Sequence, residues 1–273
     1  MKRIGILYHP SLEKAPSLAG KLGELLSSQG FSSWQCSTWD EDKAKPQVAG
    51  SDLILSIGGD GTILRTARII NPLSVPILGI NVGKLGFITE LDGNGTLPDL
   101  TDFLKGKGWI EERAMLEAQI GDKSFYALND VVLRSVAVRL VNIEAKVDDA
   151  VLTTYRADGI IVATATGSTS YSLAAGGPIL HPQSSGILLQ SISCHLGLGH
   201  ALVLPQQSIV DLKVAHGDNV MLSVDGQVEL PLADRQNIRV KLSPYVTRFL
   251  RIHPPNYFYS SLWQKMRGNR NES

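Results

Sequence analysis

The chain reads LILSIGGDGTILRTARII between residues 53 and 70. A mostly apolar run at 53–57 leads into the turn Gly-Gly-Asp-Gly at 58–61, and apolar side chains then recur at helical spacing over 63–70. An apolar run of this length, followed by a helix, is typical of a strand in a parallel sheet that is covered on both faces. This stretch therefore predicts a strand, a tight turn and a helix, as in an open α/β layer.

Two kinds of hydrophobic pattern divide the chain. Further apolar runs at 4–8 and 75–80 belong with the first stretch, because helical segments separate them. After about residue 115 the apolar residues alternate with polar ones, as at 210–214 and 238–242. Such alternation is typical of antiparallel strands. The sequence therefore predicts an α/β domain at 1–110, followed by a mostly antiparallel, β-sandwich-like domain at 111–245.

The composition excludes several classes of protein. Lys and Arg number 26 and Asp and Glu number 26, so the formal net charge is zero, which argues against a dedicated nucleic-acid binder. No apolar run approaches the roughly 18 residues that a membrane span needs. Only two cysteines occur, and neither they nor the histidines show the spacing of a metal site. We expect a cytoplasmic protein without nucleic-acid or membrane partners.

The turn at 58–61 carries the strongest chemical signal. Its glycines let a phosphate approach the backbone, and the N-terminus of the following helix attracts anions. Asp60 is then a carboxylate that can accept a proton. The alternative is a plain strand-to-helix turn in which Asp60 caps the helix, and the Gly-Asp-Gly pattern alone leaves both interpretations open. The sequence contains neither a P-loop nor a Gly-x-Gly-x-x-Gly fingerprint.

A second cluster lies at 156–172, where an apolar strand separates Arg156-Ala157-Asp158 from a loop dense in hydroxyl side chains. Such a loop suits ribose or phosphate, and Tyr171 is suited to stacking on a base. The alternative is a turn in which the hydroxyls only bind nearby backbone groups. Asn129-Asp130 and the segment 223–227 are, in isolation, most simply explained as ordinary turns.

Taken in order, these pieces resemble the ATP-dependent NAD kinase family. The family's Gly-Gly-Asp-Gly-Thr turn occurs at 58–62, its Asn-Glu pair as Asn129-Asp130, and its Asp-Gly strand with the Thr-Gly-Ser-Thr block at 158–171. Its Ser-x-Asp-Gly-Gln turn occurs at 223–227, and residues 75–87 resemble its Gly-Ile-Asn-x-Gly segment. The first motif alone is shared with diacylglycerol and sphingosine kinases.

The resemblance implies an enzyme that phosphorylates the 2′-hydroxyl of the adenosine ribose of NAD to give NADP. It implies a Rossmann-like first domain, on which a C-terminal segment at 246–273 packs back, and an active site at the domain cleft. The phosphate donor is ATP or polyphosphate, with a divalent metal ion, Mg²⁺, bound to ATP. The family assembles as homodimers or homotetramers in which NAD also touches a neighbouring subunit.

The resemblance also assigns roles to residues. Asp60 is the general base, with Gly61 beside it, and Asn129 and Asp130 bind ribose hydroxyls or base. Asp158 faces the nicotinamide end. The adenine pocket is lined by Thr169, Ser170, Tyr171, Ser172, Leu173 and Ala174. The candidates for phosphate contacts are Arg65, Arg139 and Arg156, and the lesser candidates for binding are Phe87 and Gln227.

The chain departs from the family at Asp130, at Ala165, where the family commonly has Pro, and at residues 194–201. Asp130 stands where the family has Glu, which keeps the charge and shortens the side chain by one methylene. Residues 194–201 read Cys-His-Leu-Gly-Leu-Gly-His-Ala and keep only the family's histidine, at His195. Two alternatives stay open at this point: a non-catalytic NAD or NADP sensor, and a lipid kinase of the same superfamily. Retention of Asp60 argues against the sensor, and the neutral charge argues against the lipid kinase.

Overall fold

A computed structural model describes residues 3–83, 86–93, 100, 104, 106–215 and 219–267. Lys84 and Leu85 of the 75–87 motif and the end of the 246–273 segment lie outside the described residues. The chain forms two compact units, one of Met1–Glu112 with Thr247–Ser273 and one of Arg113–Val246.

The first unit is built on a parallel sheet. Its elements are β1 (Arg3–Tyr8), α1 (Lys14–Ser28), β2 (Ser32–Ser37), α2 (Glu41–Val48), β3 (Leu53–Gly58), α3 (Asp60–Ile70), β4 (Ile77–Asn81) and β5 (Leu91–Asp92). The strand order β4-β3-β1-β2 is parallel throughout. This arrangement confirms the predicted α/β class.

Burial explains why these segments adopt their structures. Every residue of β3 is buried, as its apolar run predicts for a strand covered on both faces. Helix α1 buries one face, and the side chains on that face recur every three or four residues: Ala15, Ala19, Leu22 and Leu26. The core of this unit therefore lies between the sheet and its covering helices.

The strand order also locates the expected ligand edge. The chain passes from β1 to β2 on one side and then returns to β3 on the other side of β1. In open α/β sheets, ligands bind outside the carboxyl ends of the strands where the order reverses in this way. The turn that follows β3 lies at that edge, so Asp60 stands where such a fold binds its ligand.

The second unit contains two antiparallel sheets. The strands that follow β5 are β6 (Trp109–Ile120), β7 (Lys123–Ala127), β8 (Asp130–Ser135), β9 (Val141–Val147), β10 (Ala150–Ala157), β11 (Gly159–Ala163), β12 (Ile187–Ile192), β13 (Leu202–Leu204), β14 (Val210–Val214), β15 (Val220–Val224), β16 (Val228–Leu232) and β17 (Asn237–Arg251). Of these, β6 begins and β17 ends in the first unit. A 3₁₀ turn (Gly167–Thr169) and a short α4 (Tyr171–Ala174) follow β11. Helix α5 (Tyr257–Arg267) follows β17 and belongs to the first unit.

One sheet has the order β13-β12-β11-β8-β15-β16, and the other contains β10-β9-β14-β17. The main core cluster draws side chains from both sheets, including Val131, Val162 and Leu222 from one and Ile143 and Val210 from the other. The two sheets therefore pack face to face, which confirms the predicted sandwich-like arrangement. Within the described ranges, no helix is both long and apolar enough to cross a membrane.

Candidate active site

The Asp60 side chain binds the backbone of a distant loop. One carboxylate oxygen accepts the N–H of Phe87 at 2.7 Å, and the other accepts the N–H of Ile88 at 3.1 Å. Helix α3 has Gly59 at its N-cap and no side-chain capping bond. The interpretation of Asp60 as a helix cap is therefore wrong, because its carboxylate is oriented instead by two amides of the 86–88 segment.

Glycines make room for this arrangement. A Cβ on Gly86 would collide with the Asp60 carboxylate, so only glycine lets the loop approach so closely. A Cβ on Gly59 or Gly61 would meet no described atom within 4 Å. The outer side of the turn is thus open, and its backbone is accessible to a ligand.

Cationic and aromatic groups lie at the same edge of the parallel sheet. The Arg65 guanidinium stands 5.9 Å from the centroid of the Trp39 ring, and His9 meets the same ring edge-on at 5.6 Å. Trp39 is 56% exposed. His9 and Trp39 follow the carboxyl ends of β1 and β2, so these groups can contact a ligand at the expected edge.

In the second unit, three predicted motifs meet at one edge of a sheet. Strand β8 begins at Asp130, which pairs in register with Ala163 at the end of β11. Val131 pairs in the same way with Val224 at the end of β15. Antiparallel pairing therefore brings together Asn129, the loop that begins at Thr164, and the turn at 225–227.

The Asp225 side chain stabilises this edge of the sheet. Its carboxylate accepts the backbone N–H groups of Leu128, Asn129 and Asp130 at 2.8, 2.7 and 3.1 Å. Asp225 has a φ of 53°, an uncommon value for a residue other than glycine. Asp225 lies within the 223–227 motif but is not among the site residues that the sequence predicts. The available signal was the carboxylate in the middle of the 223–227 turn.

Asp130 is a buried acid beside a second carboxylate. Burial, reinforced by the nearby charge of Asp225, raises the pKa of Asp130 to about 7. Near neutral pH it can therefore donate or accept a hydrogen bond. The Asn129 side-chain oxygen is buried and has no hydrogen-bond partner in the described part of the chain. The pair thus offers the polar atoms that sugar hydroxyls require.

Three hydroxyls of the loop that follows β11 bind nearby backbone groups, as one of the two interpretations of its sequence predicts. Thr164 donates to the Leu128 carbonyl at 2.6 Å, Ser168 to the Ala165 carbonyl at 2.6 Å, and Thr169 to the Thr166 carbonyl at 3.1 Å. These three hydroxyls stabilise the loop itself.

Two other side chains of that loop differ. The Ser172 hydroxyl is buried and has no partner among the described residues. Tyr171 is 37% exposed. Ser170 and Ala174 are exposed and Leu173 is half-buried, so the segment 170–174 presents most of the surface predicted to line a base pocket.

Three predicted binding residues lie elsewhere in the unit. Gly159 pairs with Arg134, so Asp158 lies at the opposite end of β11 from Thr164. At about 3.3 Å per residue, the strand separates Asp158 from Thr164 by roughly 20 Å. Asp158, Arg156 and Arg139 are all exposed. Within one chain, these three residues lie away from Asn129 and Asp130. Gln227, by contrast, lies at the edge of the sheet where β8 begins.

Comparisons with known proteins agree over the whole chain. The model of the ATP-NAD kinase N-terminal domain matches residues 6–107, and that of the ATP-NAD kinase C-terminal domain matches residues 128–252. An NAD kinase of Dehalococcoides mccartyi is 46% identical, with 100% of this chain and 98% of the relative covered. An NAD kinase of Chloroflexus aggregans is 37% identical, with 98% and 99% covered.

Two solved structures share the fold. An NAD kinase from Archaeoglobus fulgidus, in complex with ATP, has a TM-score of 0.79 at 24% identity and covers 97% of this chain and 98% of its own. A yeast NADH kinase complexed with NADH has a TM-score of 0.82 at 23% identity and covers 100% of this chain and 89% of its own.

Proposed function

This chain belongs to the ATP-NAD kinase family and is a kinase, and we propose that it transfers the terminal phosphate of ATP to the 2′-hydroxyl of the adenosine ribose of NAD, giving NADP. The observation that carries the detailed proposal is the Asp60 carboxylate, which two backbone amides orient at the open turn after β3.

Asp60 acts as the general base. Phosphoryl transfer depends mainly on positioning and charge neutralisation, and a carboxylate that accepts the proton of the attacking hydroxyl completes the requirement. The hydroxyl oxygen forms a bond to the terminal phosphorus as the bond to the bridging oxygen breaks, and ADP leaves. Each Asp60 oxygen has a lone pair beyond the one that its amide partner uses, so the carboxylate can still accept this proton.

Asn129 and Asp130 bind the ribose hydroxyls. The buried Asn129 amide oxygen, which has no described partner, can accept a hydrogen bond from a hydroxyl. Burial raises the pKa of the Asp130 carboxyl to about 7, so this group can donate a hydrogen bond as well as accept one. The segment 169–174 binds the adenine, with Tyr171 stacking on the ring and the buried Ser172 hydroxyl contacting a polar atom of the base.

Mg²⁺ enters as part of the MgATP substrate. Mg²⁺ is commonly held by substrate phosphates with one or two carboxylates, since it keeps much of its water. Among the residues that the structure describes, no three His, Cys, Asp or Glu side chains form a metal site. Arg65 supplies positive charge at the ligand edge of the sheet, where Arg suits phosphate oxygens.

We further propose that the enzyme is a homodimer or homotetramer. Asp158, Arg156 and Arg139 are exposed at the end of β11 opposite Thr164, so they are better placed to contact NAD bound to a neighbouring subunit. A cytoplasmic location is supported by Cys36 and Cys194, which are both free thiols.

The test is product formation by the purified protein. It is given NAD, ATP and Mg²⁺, and NADP is measured through an NADP-specific dehydrogenase while ADP is measured separately. We expect one NADP for each ADP. Parallel reactions with NADH, with polyphosphate and with a chelator define the acceptor, the donor and the metal requirement. A protein that binds NAD without forming NADP is a sensor, and phosphorylation of lipid vesicles instead of NAD identifies a lipid kinase.

A further inference from the structure

The loop that orients Asp60 is itself held by the C-terminal part of the chain. Phe87 and Ile88 turn their N–H groups towards the Asp60 carboxylate. Their carbonyl groups accept hydrogen bonds from two cations, Lys265 to Phe87 at 3.3 Å and Arg251 to Ile88 at 2.6 Å. The same two residues therefore bind the candidate base and the C-terminal segment.

One peptide group connects a cation to the carboxylate. The carbonyl of Phe87 and the N–H of Ile88 belong to the same peptide unit, so the Lys265 ammonium binds one end and Asp60 binds the other. A cation on the carbonyl polarises the peptide and strengthens the hydrogen bond that its N–H donates. Lys265 thus acts on the position of the Asp60 carboxylate without touching it.

Arg251 is a rigid partner in this arrangement. Its guanidinium binds Glu111 at 2.7 Å and Glu90 at 3.1 Å, and the exposure of all three side chains is 7% or less. It also lies 4.7 Å from the Phe249 ring centroid. Because its fork is fixed by two carboxylates, its remaining hydrogen bond holds the Ile88 carbonyl in one place.

Glu90 ties the far end of the loop to the same segment. One of its oxygens accepts the backbone N–H groups of Ile252 and His253 at 2.7 and 2.9 Å, and it lies 2.9 Å from the His253 ring nitrogen. The loop is therefore fastened at Phe87, Ile88 and Glu90, each time to residues between 251 and 265. Those partners lie more than 160 residues away along the chain.

We propose that Lys265 and Arg251 are positioning residues for the reaction. Lys265 holds the 87–88 peptide, whose N–H binds the Asp60 carboxylate, and Arg251 holds the next peptide through the Ile88 carbonyl. The inference rests on the proposed role of Asp60 as the general base. It makes the C-terminal segment part of the apparatus that aligns the base, besides being part of the fold.

Lys265→Met is the principal variant. Methionine keeps most of the length of the half-buried side chain and removes its charge and its donors. We expect kcat to fall about tenfold with KM for NAD and ATP changed less than about twofold, since the base loses alignment while the substrates still bind. Lys265→Arg restores a donor and should recover most of kcat, which a general packing defect would not do.

Arg251→Gln and Arg248→Gln form a matched pair. Arg248 is on the same strand and binds Glu112 in an exposed ion pair, so its variant should leave kcat unchanged. Arg251→Gln should lower kcat, but it leaves two buried carboxylates without their cation and can prevent folding. For that reason the decision rests on Lys265→Met.

Amide hydrogen exchange at Phe87 and Ile88 provides a readout that does not need activity. We expect exchange at these two amides to be about tenfold faster in Lys265→Met and unchanged in Arg248→Gln. If the parent forms no NADP, the proposed function fails, and exchange alone still decides whether Lys265 holds the loop. An active parent in which Lys265→Met leaves either the exchange rate or kcat unchanged would overturn the inference while the proposed function stands.

Discussion

Asp225 accepts the backbone N–H of Asp130 at 3.1 Å and returns its own N–H to the Asp130 carbonyl at 2.9 Å. This reciprocal pair places two carboxylates side by side at the edge where β8 begins. Asp225 accepts two further amides, so its negative charge is well stabilised. Asp130 is the more buried of the two and carries the raised pKa.

Asp225→Asn should weaken this edge. An asparagine oxygen cannot replace two carboxylate oxygens that accept three N–H groups, and a buried donor left without a partner costs about 1–3 kcal/mol. We expect chemical denaturation to show a loss of that size, and a higher KM for NAD because Asn129 shifts. Asp122→Asn, in an exposed turn, is the control. Unchanged stability and KM in Asp225→Asn would contradict the role of Asp225 in holding the edge where β8 begins.

Asp130 should make stability depend on pH. The pKa of Asp130 in the folded state is about 7, above the ordinary value of 3.8. Between these two pH values the folded state therefore keeps a proton that the unfolded state has released. The contribution of Asp130 is therefore most favourable below about pH 4 and is lost as the pH rises to about 7.

Asp130→Asn removes this dependence. Its free energy of unfolding, relative to the parent, should rise by on the order of 2 kcal/mol between pH 5 and pH 8.5. Urea denaturation at both pH values measures the difference. A difference that stays flat, or that falls with pH, is incompatible with a raised pKa at Asp130.

Gly86→Ala should disturb the base directly, since the new Cβ would overlap the Asp60 carboxylate. We expect kcat to fall at least about tenfold and stability to fall by about 1–3 kcal/mol, as for other overpacked sites. The control is Gly23→Ala in helix α1, where the new Cβ meets no atom of the described residues within 4 Å. That variant should gain about 0.5–1 kcal/mol and keep its kcat. Equal kinetics in both variants would rule out the close approach at Gly86.

Ser172→Ala separates stability from binding. The Ser172 hydroxyl is buried without a partner in the described residues, so its removal should leave stability unchanged or raise it by up to about 1 kcal/mol. If the hydroxyl contacts adenine, calorimetry should show NAD binding weakened about threefold to tenfold. Unaltered NAD affinity would remove Ser172 from the base pocket.

The sequence predicts the fold well because local patterns determine it. The apolar run at 53–57 and the alternation at 210–214 reflect which residues are buried within single strands. The resulting pattern of apolar and polar residues is visible in the sequence itself. The motifs likewise predict which loops carry chemistry, and the antiparallel register of β8 with β11 and β15 then brings two of them together.

The partners of the site side chains are harder to predict. The bond from Arg251 to Ile88 joins residues 163 positions apart, and neither residue is part of a motif that points to the other. Thr164 and Ser168 lie in a motif, yet their hydroxyls bind neighbouring carbonyls, which composition cannot distinguish from ligand contacts. Such assignments depend on tertiary packing.

The proposed role of Asp60 is best tested by comparing Asp60→Asn with the parent for both NAD binding and NADP formation. Asparagine has nearly the same shape, but it can accept only one of the two amide N–H groups and cannot act as the base. We predict NAD affinity within about twofold of the parent and a kcat at least about 100-fold lower. Turnover by Asp60→Asn close to that of the parent would contradict the assignment of Asp60 as the base.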